Sequence, residues 1–294
     1  MTNLKHTIVE DSVLKTLKYF DYFSFPLTLN ELHKYLDTVC SREELKQTLD
    51  KMVAHKSIFM TNNIYLISNT IEKIDRKLKG KIEAEKRIKR AKLIAKLINF
   101  SPFVRSVSIS GSLSKMYADK NSDIDFFITT NNSNLWTCRT MLHILKKISF
   151  LFNLQHSFCM NYFISNKNLI IEEQNYFTAV ELSTLIPLYG KQDYIQLMKA
   201  NNWIHDILPN YVQQDTQAKP ISRNLVKRLL EFIFSSQKLN LFLLNYTNKT
   251  WKKKWKKKGY DMKDYDLAFK TKRYVSKNHP KNYQKLVLKY KDDK

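Results

Sequence analysis

The chain has 294 residues, with 50 Lys and Arg against 27 Asp and Glu, a formal charge of +23, and 43% of its residues are hydrophobic. That hydrophobic content builds a sizeable core and excludes a disordered basic tail protein, while the length admits one large domain or a few small ones. With only 4 glycines, a Rossmann glycine fingerprint and a turn-rich all-β protein are excluded as well.

No run reaches about 18 uncharged apolar residues, so no membrane span is expected, and the first residues show no signal-peptide pattern. Cys40, Cys138 and Cys159 stand far apart without CxxC spacing. Free thiols in a reducing cytoplasm are the expectation, and a zinc site or disulfide framework is not. The charge is uneven. Residues 1–70 carry 8 basic and 8 acidic side chains, residues 71–100 carry 11 and 4, and residues 245–294 carry 17 and 5. Two segments hold most of the excess.

In chain order, residues 12–23 place Val13, Leu14, Leu17 and Phe20 at helical spacing. Thr28 with Glu31 and Ser41 with Glu44 are capping-box signatures, opening helices to about Leu36 and His55. Residues 57–60 and 64–67 are β-prone runs around the turn pair Asn62-Asn63. This order resembles winged helix-turn-helix domains. The outward residues of the third helix, Arg42, Glu43, Glu44, Lys46, Gln47, Asp50, Lys51 and Lys56, nearly cancel in charge. Phosphate neutralisation dominates non-specific DNA affinity, so nucleic acid is an open but not favoured partner. Packing of the module on its own chain or on a protein is favoured.

Residues 71–99 form a basic helix with one apolar stripe and Gly80 as a candidate kink. The pattern then changes to strand (103–110), brief helix (113–118), strand (123–129), helix (134–152) and strand (157–164), an α/β unit. From about residue 178 the chain reads mostly helical, including 179–185, 194–203, 223–257 and a final helix at 283–290. Residues 208–220 are the candidate exposed connection.

The chemistry sits in the α/β unit. Gly111-Ser112 follows a β-branched run, and ten residues later comes Asp123-Ile124-Asp125-Phe126. Strand residues i and i+2 lie about 6.6 Å apart on one face, so Asp123 and Asp125 pair their carboxylates while Ile124 and Phe126 pack behind. Paired carboxylates without a cationic neighbour suit a divalent cation such as Mg²⁺ (or Mn²⁺), which takes its other ligands from phosphate and water. Gly111 lets the backbone approach a ligand, and the following turn with the Ser112 hydroxyl forms an anion cradle. Together these equip a site for phosphoryl or nucleotidyl transfer.

The pattern of Gly111-Ser112, a ten-residue spacer and Asp123-Ile124-Asp125-Phe126 resembles the signature of the polymerase-β-like nucleotidyltransferase superfamily. The longer forms Ser110-Gly111-Ser112-Leu113-Ser114-Lys115 and Ser122-Asp123-Ile124-Asp125-Phe126-Phe127 are similar to bacterial nucleotidyltransferase domain-containing proteins. The resemblance covers residues 101–189, under a third of the chain. It implies transfer of an NMP unit from an NTP to an acceptor, with release of pyrophosphate. Asp123 and Asp125 would hold the metal ions, Gly111 and Ser112 the β- and γ-phosphates, and Lys115 would add a cation or stand as a plain surface lysine.

The family pattern has a third carboxylate on a later strand, and this sequence departs there. The inward polar candidate in 157–164 is Asn161, an amide that cannot act as a base. Three outcomes stay open: Glu172 or Glu173 reaches the site, the metal or the substrate itself activates the acceptor, or the site binds nucleotide without turnover. The histidines show no metal-ligand spacing.

Residues 251–258 interleave Trp251 and Trp255 with six lysines. This suits an anionic membrane surface or RNA, or else a helix whose tryptophans dock on the body; an anionic acceptor would suit it too.

The expected fold is α/β (α+β), a minimal nucleotidyltransferase fold with an N-terminal winged helix (1–70), a basic connecting helix (71–100), the nucleotidyltransferase domain (101–190) and a helical C-terminal region (191–294). The expected function is Mg²⁺-dependent nucleotidyl transfer to an unidentified acceptor. The alternatives are a nucleotide-sensing regulator acting through the winged helix, and an antitoxin-like enzyme modifying a protein partner.

Overall fold

The computed structural model describes residues 2–68, 70–150 and 159–292. Its first part runs α1 (Thr2–Asp21), β1 (Leu27–Thr28), α2 (Leu29–Tyr35), α3 (Arg42–Ala54), β2 (Phe59–Thr61) and β3 (Ile64–Leu66). Both capping boxes form: the Glu31 and Glu44 carboxylates each accept from the cap backbone at 2.8 Å, and the cap hydroxyls accept in return. Asn62 and Asn63 take φ of 55° and 60°, the conformation that matches a tight turn to strand twist. The short β1, absent from the sequence reading, pairs with β3 to give the order β1-β3-β2.

α4 (Ile71–Phe100) continues unbroken through Gly80. Gly80 makes room rather than a break, because a Cβ there would lie 2.3 Å from the Tyr117 ring. Next come β4 (Val104–Ser110), α5 (Gly111–Ser114), β5 (Asp125–Thr130), α6 (Leu135–Phe150), β6 (Cys159–Ser165), α7 (Tyr176–Ser183), β7 (Ile186–Tyr189), α8 (Lys191–Ala200) and α9 (Ile204–Ile207). The far end of the expected 134–152 helix, the start of the expected 157–164 strand and His156 lie outside the described residues.

The rest comprises α10 (Leu225–Ile233), α11 (Gln237–Lys257), α12 (Tyr265–Ala268), β8 (Phe269–Lys272), β9 (Val275–Asn278) and α13 (Tyr283–Asp292). The expected continuous 223–257 helix is two helices, because Ser236 turns the chain and its hydroxyl accepts from the Leu239 N–H at 3.3 Å.

The central sheet has six strands in the order β7-β4-β5-β6-β9-β8. β5 and β6 are parallel, joined by α6, and every other neighbouring pair is antiparallel. The protein is therefore an α+β protein with a mixed sheet. Two of its strands correct the helical reading of the C-terminal region: β8 and β9 add a hairpin to the edge of β6. Their lysine-rich pattern hides them, yet Lys270 and Lys277 are buried on this hairpin. Lys270 pairs with Glu172 at 2.7 Å and Glu173 at 2.9 Å, and Lys277 pairs with Glu173 at 3.0 Å.

One core lies under α4 and α6, where Ala91, Ile98, Val107, Phe126, Ile128, Trp136 and Phe163 meet. Asn240 of α11 closes it, its side-chain oxygen accepting from Trp136 N at 2.8 Å and Thr137 N at 3.2 Å. The other core is continuous from α1, α2 and α3 through α7 and α8. The first module thus packs on its own chain: Tyr176 OH donates to Tyr35 O at 2.6 Å, and Lys34 Nζ to Ser183 O at 3.0 Å. The exposed side of α3 carries Arg42, Glu43, Lys46, Gln47, Asp50 and Lys51, a nearly neutral surface.

Trp251 and Trp255 turn toward the body, with ring centroids 6.2 and 4.8 Å from Phe269. Residues 251–258 therefore offer lysines, and not tryptophans, to an anionic surface. No helix among the described residues is long and apolar enough to cross a membrane.

Candidate functional site

The strand pairing brings the two halves of the motif together. β4 ends at Ser110, which pairs with Asp125 at the start of antiparallel β5. The next residue, Gly111, has φ of +68°, and a Cβ on it would lie 2.6 Å from Asp125 Oδ2. A side chain there would meet both the left-handed backbone penalty and a clash. The sharp turn leads into α5, where, among the described residues, the Ser112 hydroxyl has no partner.

Asp123 precedes the strand on an exposed stretch, and its Oδ2 accepts from Cys159 Sγ at 3.5 Å. Asp125 is the first residue of β5 and turns inward. Burial raises its carboxyl to about 7, with the charges of Asp123 and Glu181 adding to the effect and Lys115 and Lys146 opposing it.

Asn161 reaches Asp125 through a register shift. Phe126 pairs with Met160 and Phe127 with Tyr162, so Asn161 is the extra residue of a β-bulge, a device that re-aims one side chain. Its amide nitrogen donates to Asp125 Oδ1 at 2.7 Å. Cys159 begins the same strand, in hydrogen-bond range of Lys146 Nζ at 3.5 Å.

Lys115 stands one turn beyond Gly111. Its ammonium donates to Gly111 O at 3.1 Å and pairs with Glu181 of α7 at 2.7 Å. The Ser114 hydroxyl donates to Thr184 Oγ1 at 3.1 Å, tying α5 to the end of α7. Lys115 is therefore an engaged member of the cluster and not a free surface lysine.

Glu181 belongs to no motif of the sequence. Its available signal was its being the lone charge in the apolar helix Tyr-Phe-Thr-Ala-Val-Glu-Leu-Ser. Glu172 and Glu173, the expected candidates for a distant carboxylate, are taken by the hairpin. Glu172 holds Lys270, Lys272 and Tyr274, and Glu173 holds Lys270 and Lys277.

No three of His, Cys, Asp and Glu among the described residues gather closely enough to hold a metal alone. The hard oxygens nearest to such a site are the carboxylates of Asp125 and of Asp123, two residues before it and outside the strand. That set does not make a closed protein cage. Oxygen donors of this kind would hold a hard cation such as Mg²⁺ only with phosphate oxygens and water completing its shell.

Comparison of the chain with protein-family models, with curated proteins and with solved structures yields no match.

Proposed function

We propose that this chain is an Mg²⁺-dependent nucleotidyltransferase of the polymerase-β-like kind, transferring an NMP unit from an NTP to an acceptor. The carrying observation is the side-chain-free turn at Gly111 lying directly against Asp125, with Asp123 two residues away. The turn that would receive phosphate and the carboxylates that would hold a cation then lie at one end of the central strands β4 and β5. Asp123 and Asp125 would hold the ion, Gly111 and Ser112 would receive the β- and γ-phosphates, and Lys115 would keep a positive charge beside them. Mg²⁺, when bound, supplies neutralisation of the triphosphate and of the charge that grows on the leaving oxygen. The acceptor oxygen forms its bond to the α-phosphorus, the α–β anhydride bond breaks, and pyrophosphate carries away the electron pair.

Asn161 shapes the acceptor class. Its amide cannot take a proton, so an acceptor oxygen that is already anionic, on a phosphate or carboxylate, suits the site better than a neutral hydroxyl. The positive charge of the chain favours the same partner.

A second reading, a nucleotide-sensing regulator, draws on a different observation. The helix–strand–helix–helix–hairpin order of residues 2–66 resembles that of winged helices. The bonds from Tyr176 to Tyr35 and from Lys34 to Ser183 join this module to α7, the helix that carries Glu181.

Pyrophosphate release from each NTP with Mg²⁺, offered with phosphorylated and carboxylate-bearing acceptors, separates the two. Transferase activity requires release by the wild type and none by Asp123→Asn or Asp125→Asn. Mg²⁺-dependent nucleotide binding with no release under any of these conditions would leave the sensor.

A further inference from the structure

α10 is amphipathic in an unusual sense, because its apolar side faces outward. Leu225, Val226, Leu229, Phe232 and Ile233 recur at i, i+1, i+4, i+7 and i+8, which places them on one face of about 120°. All five are between 57% and 80% exposed. The opposite side anchors the helix: Lys227 is buried and donates to Asn99 O at 2.9 Å and Val104 O at 3.1 Å, and Glu231 accepts from Phe103 N at 2.7 Å. A second apolar stripe, Leu93, Leu97 and Phe100, is exposed on α4 and ends beside α10. Such a surface on a protein in water marks an interaction site.

On the anchoring side of α10 lies a cavity of about 480 Å³, lined by Arg105, Asp193, Arg223, Lys227, Arg228 and Glu231 among others. Arg105 is held by Glu231 at 2.8 Å, and Lys227 is spent on backbone carbonyls. Arg223 and Arg228 are exposed and have no partner among the described residues. Arg223 stands just before the helix and Arg228 borders Phe232 around its axis, so their guanidinium groups flank the apolar face and suit phosphate oxygens.

We propose that the outward face of α10 docks on an anionic phospholipid surface, with the five apolar side chains entering the headgroup–acyl boundary and Arg223 and Arg228 taking the headgroup phosphates. The charge pattern selects this occupant. The flanking α4 carries 11 basic residues against 4 acidic ones, so a second copy of the chain would bring like charges together. An apolar helix face flanked by arginine and set beside a basic helix is the composition of an interfacial site, and an anionic leaflet attracts basic segments over a Debye length. This surface is distinct from residues 251–258, whose tryptophans are engaged with Phe269.

Flotation of the full chain with vesicles of phosphatidylcholine and phosphatidylserine, against phosphatidylcholine alone, tests the proposal. Binding to the mixed vesicles only is expected, weakened about tenfold or more both in Leu229→Glu/Phe232→Glu and in Arg223→Glu/Arg228→Glu. All four positions are exposed, so circular dichroism and thermal midpoint should match the wild type. As a measurement that needs no loss-of-binding variant, a polarity-sensitive dye on Phe232→Cys should shift to the blue on the mixed vesicles. Binding untouched by the apolar pair would reduce the contact to charge alone and overturn the docking. Absence of vesicle binding would also overturn it. In that case, a dimer dissolved by the apolar pair would assign the face to a second copy, and a monomer would leave it to an acidic protein.

Discussion

Gly111 and Asp125 are neighbours that leave no room between them, since a Cβ on the glycine would stand 2.6 Å from the Asp125 carboxylate. Gly111→Ala must therefore shift the turn or the carboxylate as well as accept a φ of +68°. A loss of about 1–2 kcal/mol in stability is expected from the backbone alone. Urea unfolding checks that figure. Nucleotide affinity, followed by titration, should fall more than tenfold, an effect that backbone strain elsewhere in the chain would not produce.

Asn161 meets Asp125 with an amide where the superfamily pattern has a carboxylate. Asn161→Asp replaces a 2.7 Å hydrogen bond with a repulsive pair and adds a third hard ligand. Calorimetric titration should show Mg²⁺ affinity rising about tenfold, while the metal-free protein melts at a lower temperature. Unchanged Mg²⁺ affinity would place the ion away from this strand.

Glu172 ties the β8–β9 hairpin to the segment after β6. Hydrogen bonds from Lys270, Lys272 and Tyr274 hold its carboxyl down to about 2, against an ordinary value of 4.5. Its contribution is present above 4.5 and is lost as pH falls toward 2. The thermal midpoint should drop across that window, and Glu172→Gln should flatten the drop. His279 acts in a window above it. Burial, reinforced by Lys277, lowers it from 6.5 to about 4, so the unfolded chain takes its proton first and stability declines as pH falls from 6.5 to 4. His143, lowered by burial to about 3, acts in the same direction, so His279→Asn should reduce this upper part of the profile without abolishing it and leave the Glu172 part in place.

Asn240 joins α11 to α6 by accepting from two backbone N–H groups that the first turn of a helix leaves unpaired. Asn240→Ala buries those donors without a partner. A cost of about 1–2 kcal/mol and a thermal midpoint lower by roughly 2–6 °C are expected by calorimetry.

Where local chemistry decides, the sequence was readable. Thr28 with Glu31 and Ser41 with Glu44 cap helices because each box closes over three residues. Asn62-Asn63 turns because both residues tolerate positive φ. The sharp turn at Gly111 was legible because a glycine accepts positive φ, whereas the strand expected from Asp123 begins only at Asp125. The hairpin at Phe269–Lys272 and Val275–Asn278 was hidden, since its buried lysines read as solvent-facing until Glu172 and Glu173, about a hundred residues earlier, come to meet them. The aim of Asn161 depends on a register shift between two strands, and Glu181 enters the site only because Lys115 and Thr184 draw α7 against α5.

By itself the sequence determined the elements that close over a few neighbouring residues, such as the two capping boxes and the Asn62-Asn63 turn. Tertiary structure alone decided which charges are buried in pairs, which tryptophans face inward and which helix turns its apolar side to water. Those outcomes are energies of burial and pairing between groups far apart in the chain, and no local pattern carries them.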